Sequence, residues 1–222
     1  MKSICFLAQF PPPMHGLSKA VETLYNSRLK EKYRFSKIDI TNNKKFLQSL
    51  LALMRCRSDV VYFTPSQTRG GNLRDLVFLK LIRWRGKKCI VHIHGGYYRQ
   101  LVDNDIPGWQ RRMNYHAVER LAGGIVLGHS LHGIFEGMLP DDKIFVCPNC
   151  VDDAFIAPSV DDKLAKMRDG GALHILYLSN FIESKGYREM LELARMAAER
   201  GDDEKFVFHF AGKFFEPAEE TY

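Results

Sequence analysis

No apolar run in the 222 residues is long enough to cross a bilayer; ICFLA and LLALM are typical of the longest. Lys2 precedes an apolar stretch, but Gln9 and Pro11–Pro13 cut it too short for a secretory signal. The five cysteines are odd in number and scattered, which argues against a disulfide framework and for a reducing compartment. Internal repeats, low-complexity segments and a G-x-G-x-x-G fingerprint are also missing, so a dinucleotide fold of the usual type has little support. The expected location is the cytoplasm, with at most peripheral contact at the inner face of the cell membrane.

What remains is an ordinary globular composition, 45% apolar and 26% charged, ample for a sizeable core. The net charge of +6 favours anionic partners such as nucleotides, phosphorylated substrates or acidic lipid. Basic and aromatic residues are not interleaved over one surface, so nucleic acid is not an expected partner. CPNC at 147–150 has redox spacing. It follows a strand and precedes Asp152 and Asp153, whereas reactive pairs open helices that stabilise the thiolate.

Short apolar runs alternate with helical periodicity from the first residue. SICFLAQF, FSKIDI, DVVYF, KCIVHIH, GGIVLG and KIFVCP read as six strands. Between them, Leu17, Ala20, Val21, Leu24 and Tyr25 repeat at helical spacing, and Leu47, Leu50, Leu51 and Met54 mark one face of a second helix. Further helices are expected over Leu73–Trp84, over Met113–Leu121 and briefly near Ile134. Single helices between strands imply parallel pairing and a doubly wound α/β sheet. This gives a first domain over 1–150 and a Pro- and Asp-containing linker over 151–171. A second unit over 172–222 has two strands, LHILYLS and KFVFHFAG, around a helix from about Ser184 to Arg200. Two strands do not cover the faces that parallel pairing requires covered, so this unit reads as incomplete.

Ligands of open α/β sheets bind beyond the carboxyl ends of the strands. Four such ends stand out. In QFPPPMHGLSKA, Gly16 permits close backbone approach at a helix N-terminus, or simply eases a proline turn. In HIHGG, His92 and His94 share a strand face; with His129 and His132 they are candidate zinc ligands, or His94 is a polar contact for substrate. VCPNCVDDAF closes the last strand of the first domain. In LYLSNFIESKGYREML, Lys185 and Gly186 fall in the expected first turn of a helix. There a cation is mildly unfavourable unless an anion joins it, the alternative being a solvated surface lysine.

Taken together, FPPPMHGLSKAVETL, VHIHG, KIFVCPNCVDDAF, LYLSNFIESKGYREML and FHFAGK resemble, in order and spacing, glycosyltransferase family 4. These are retaining, nucleotide-sugar-dependent enzymes of GT-B fold. The resemblance implies two Rossmann-like domains, the first on the acceptor side and the second binding the donor. It assigns Lys185 to the donor diphosphate, assisted by Gly186 and the helix N-terminus. It sets Gly16, Asn180 and Gly212 against the donor, and His94 near the reacting carbon as the catalytic contact. The co-substrate would be a UDP- or GDP-sugar, with no metal and no other cofactor. The acceptor would be a glycan or a lipid-linked molecule. Asn180 stands where the family commonly has arginine, and Cys150 where it has glycine. The E-x7-E carboxylate pair does not appear, since Glu219 and Glu220 lie too close to Gly212. Two alternatives stay open: an inactive binding or assembly module, and a metal-dependent hydrolase using His92 and His94. Lys44, Lys45, Arg55 and Arg57 flank FLQSLLALM, and RWRGKK ends another helix, which suits peripheral contact with an anionic membrane.

Overall fold

The computed structural model describes residues 1–151, 156, 171–202 and 204–214. Most of the expected linker, and Glu219 and Glu220, lie outside the described residues. The chain divides into two compact units, Met1–Asp153 and Ala154–Tyr222.

In the first unit β1 (Ser3–Ala8), β2 (Arg34–Asp39), β3 (Val60–Phe63), β4 (Lys88–His92), β5 (Gly123–Val126) and β6 (Ile144–Val146) form one sheet in the order β2-β1-β3-β4-β5-β6. Every pairing is parallel, as single-helix crossovers require. The central strands are buried on both sides. Phe6, Ala8 and Tyr62 enter a small cluster with Phe10, in the loop after β1, and Val21 of α1 (Gly16–Tyr25), whereas Leu7, Val61 and Phe63 face the larger core. The chain leaves β1 toward β2 on one side and returns as β3 on the other. The topological switch therefore lies between β1 and β3, where ligands of such sheets bind. β5 depends on its glycines: a Cβ on Gly124 would lie 2.6 Å from the fully buried ring of Phe135.

Helix boundaries differ from the periodic reading where caps decide them. α3 runs Arg69–Trp84, starting four residues before Leu73, because the Thr68 hydroxyl accepts a hydrogen bond from Gly71 N–H at 3.2 Å. A single turn, α4 (Tyr98–Gln100), precedes α5 (Gly108–Val118), which opens directly after Pro107 and stops short of Leu121. In α2 (Phe46–Arg55) the expected apolar face is split. Leu53 and Ser49 are buried and Leu50 packs on the core, while Leu47 is 71% and Leu51 56% exposed.

α3 and α5 are joined by buried amides, near the start of α3 and through the middle of α5. Asn72 and Asn114 exchange hydrogen bonds at 2.8 and 2.9 Å, and Gln110 donates to Asn72 Oδ1 at 2.8 Å. The Tyr98 hydroxyl donates to Asn114 Oδ1 at 3.1 Å. Satisfied reciprocally, such a network fixes helix register without leaving a costly orphan.

In the second unit β7 (Leu173–Leu178) pairs in parallel with β8 (Phe206–Ala211), joined by α6 (Tyr187–Glu199). Ile175 and Phe208 share one face, and line a small cavity with Leu193 and Met196 of α6. The opposite face carries Leu176 and Leu178, 58% and 75% exposed, beside the stacked rings of His174 and His209. No helix among the described residues is long and apolar enough to cross a membrane.

Candidate functional site

At the carboxyl ends of β3 and β4, polar side chains gather on one face of an otherwise apolar sheet. His92 and His94 alternate correctly to share that face, and their rings lie 3.9 Å apart between centroids. Tyr62, on the neighbouring strand, bridges them: its hydroxyl lies 2.7 Å from His92 Nδ1 and 3.3 Å from His94 Nε2. Thr64 follows two residues later and is buried. Thr64 Oγ1 is buried without a hydrogen-bond partner, while the second nitrogen of each ring is buried on the side where the Cys147 backbone meets His92 and the Asn149 side chain meets His94.

Burial sets the protonation of this group. It pushes His92 down to about 3, with neighbouring His94 adding to the effect and the Cys147 backbone opposing it. It pushes His94 down to about 4, against the Asn149 side chain, and raises the Tyr62 phenol. Both imidazoles are therefore neutral at pH 7, each with one donor and one acceptor. If the Tyr62 hydroxyl donates to one ring and accepts from the other, the two remaining ring nitrogens become one donor and one acceptor. That pair suits a hydroxylated ligand. Imidazoles held this low are poor bases at pH 7.

Two loops fix the arrangement. Gln67 Oε1 accepts from Tyr97 N–H at 2.9 Å, and a Cβ on Gly95 would lie 2.7 Å from Gln67 Nε2. Buried Asp75 accepts from Ser66 N–H and from the guanidinium of Arg74. Gly16 opens α1 with no atom within 4 Å of a would-be Cβ; His15 and Ser18 form a reciprocal cap ahead of it.

Folding removes protons from both imidazoles, which gives a pH signature. Between about pH 6.5 and 4 the unfolded chain binds protons that the folded chain does not, so stability falls as pH falls. Asp75, raised by burial, acts in the opposite sense. His94→Gln is expected to flatten the profile near pH 5 by about 1 kcal/mol per pH unit. Denaturant unfolding across pH checks this; superimposable slopes would refute it.

The remaining expected residues belong to the second unit. Asn180 follows β7 with an exposed side chain, and its carbonyl accepts from the Tyr177 hydroxyl at 3.1 Å. Gly212 follows β8 against Ser179: a Cβ there would collide with the Ser179 carbonyl oxygen and lie 2.9 Å from its carbon. Lys185 is not in the first turn of the helix. It ends a short 3-10 turn, Glu183–Lys185, and Gly186 then adopts a left-handed φ of 74° before α6 begins at Tyr187. The left-handed residue breaks the helical path that periodicity alone would continue. The exposed Lys185 ammonium has no partner among the described residues, and no side-chain hydrogen bond caps α6.

The described residues contain no group of three or more His, Cys, Asp or Glu arranged to hold a metal, so His129 and His132 do not complete a ligand set with His92 and His94. Tyr62 and Thr64 were hidden within an apolar strand. Only the β3–β4 register, Tyr62 opposite Ile90, turns them toward the histidines.

No protein-family model matches the chain, and no curated protein matches it in sequence. Among solved structures it is similar to a protein described as a UDP-N-acetylglucosamine 2-epimerase from Listeria monocytogenes. The TM-score is 0.53 at 12% identity, over 100% of this chain and 65% of that one. It is also similar to the catalytic domain of starch synthase IV from Arabidopsis thaliana, solved with ADP and acarbose. There the TM-score is 0.56 at 11% identity, over 98% of this chain and 69% of that one. The chain thus spans about two thirds of each. At such identities the likeness concerns architecture, and the chain has an α/β fold of the GT-B type.

Proposed function

We propose that the chain is a glycosyltransferase of the retaining, family 4 type, moving a sugar from a nucleotide sugar to a glycan or lipid-linked acceptor. The observation that carries this reading is the unpartnered Lys185 ammonium, two residues ahead of an uncapped helix at the carboxyl edge of a parallel sheet. A helix N-terminus attracts an anion, and a lysine held before it adds a full charge. There a diphosphate would be bound and its growing negative charge stabilised as it leaves. Asn180 would add a hydrogen bond, and Gly16 a close backbone approach.

His94, neutral and beside the Asn149 side chain, would hydrogen-bond a sugar or acceptor hydroxyl near the reacting carbon. With its basicity depressed it would be a poor proton acceptor, and the leaving phosphate would take the proton in a front-face mechanism. No metal and no further cofactor are required. The exposed pair Leu47 and Leu51, four residues apart and near Lys44, Lys45 and Arg55, would rest on an anionic membrane carrying a lipid-linked acceptor.

The test is calorimetric titration with UDP-, GDP- and ADP-sugars in the presence of a chelator. Micromolar to low-millimolar binding of at least one, unchanged by added Mg²⁺, is expected; binding of none would overturn the proposal. A second reading, a binding or assembly module, draws on the bare apolar face of β7 and β8. It predicts no sugar transfer even where nucleotide binds.

A further inference from the structure

Away from the histidines, a cavity of about 350 Å³ lies between α3 and α5. It falls within the range of about 300–1,000 Å³ that encloses small ligands. Its floor is apolar, made by Leu76, Leu79, Ile82, Cys89, Ala117 and Leu121. The amide network ties Asn72, near the start of α3, to Asn114 of α5, and the cavity is lined from Leu76 onward on α3 and from Met113 onward on α5.

The lining also includes Lys80, Arg83, Lys87, His116 and Arg120. Three of these polar groups are already engaged. Arg83 donates to His116 Nε2 at 2.7 Å across the two helices, and Lys87 donates to the Ser58 carbonyl at 2.6 Å. Lys80 and Arg120 are exposed and have no partner among the described residues. The carboxylate paired with this group is Glu119, 3.9 Å from His116 Nδ1. α3 and α5 both end here, and helix C-termini disfavour anions, so selection for an anion falls to the cations.

We infer that this groove binds a single-chain anionic amphiphile, its tail on the apolar floor and its phosphate or carboxylate at Lys80 and Arg120. An apolar floor alone would take any hydrophobe; two unpaired cations at its margin select one with an acidic head. Its size admits one chain rather than a patch of bilayer. Cys89 lies at the start of β4, five residues before His94 and so roughly 16 Å along the strand direction. The site is therefore separate from the carboxyl edge, and it does not depend on the transferase reading.

Titrating the full 222-residue chain with dodecyl phosphate, dodecanol and inorganic phosphate tests it. Dodecyl phosphate should bind at least tenfold tighter than dodecanol, with inorganic phosphate undetectable at the same concentrations. Ala117→Trp, which fills the floor, should abolish binding. Lys80→Ala with Arg120→Ala, both exposed and thus harmless to folding, should lower dodecyl phosphate to the level of dodecanol. Equal affinities for phosphate and alcohol, or full binding by the double variant, would overturn the inference. So would binding confined to phosphatidylglycerol vesicles with none to the monomeric amphiphile.

Discussion

Gly212→Ala is expected to destabilise the second unit by about 3 kcal/mol or more, at the upper end of overpacking costs. The added methyl would meet a backbone carbonyl, which cannot rotate aside as a side chain can. Relief would require parting the strands where Ser179 N–H donates to Ala211 O and Phe181 N–H to Lys213 O, both at 3.1 Å. Just beyond, the stacked Phe181 and Phe214 rings depend on the same separation. A sheet with two strands among the described residues has little stability to lose. Amide exchange in β7 and β8 should therefore accelerate strongly. Fluorescence of Trp84 and Trp109, both in the first unit, should stay native. Unchanged protection in β7 and β8 would disprove the packing account. Retained protection with lost nucleotide binding would show that the glycine makes room for ligand instead.

Lys185→Ala should weaken binding of the preferred nucleotide sugar by roughly 10- to 150-fold, matching about 1.5–3 kcal/mol for a hydrogen bond to a charged group. Stability should hardly change, because the side chain is exposed and unpartnered among the described residues. Lys185→Arg should restore part of the affinity, since charge is kept while geometry differs. Affinity unchanged by the alanine substitution, measured by calorimetry at fixed ionic strength, would remove the diphosphate role. Loss equal for nucleoside and nucleotide sugar would argue for a packing effect rather than a charge.

Much of this architecture is readable from periodicity. Alternation of apolar runs and helices gives the six parallel strands, and i, i+2 spacing puts His92 and His94 on one face. What resists reading depends on tertiary partners. Tyr62 looks like core until strand register carries its hydroxyl to the two imidazoles. Asn72, Gln110 and Asn114 look like surface until two helices meet through them. On α2 the apolar arc is too wide for pattern alone to choose its buried edge, and burial of Ser49 leaves Leu47 and Leu51 outside. Gly186 sits inside an unbroken helical pattern; only its left-handed backbone moves Lys185 out of the helix. Gly212, expected against a donor, first meets Ser179.

β7 and β8 each have an outer margin without a strand partner among the described residues. Such margins offer rows of amide donors and carbonyl acceptors at the spacing another extended segment needs. With Leu176 and Leu178 alongside, any chain that adds there gains both backbone pairing and cover for apolar surface. The same geometry that would let this unit grow into a broader sheet also makes it the natural starting point for unwanted self-association in concentrated solution.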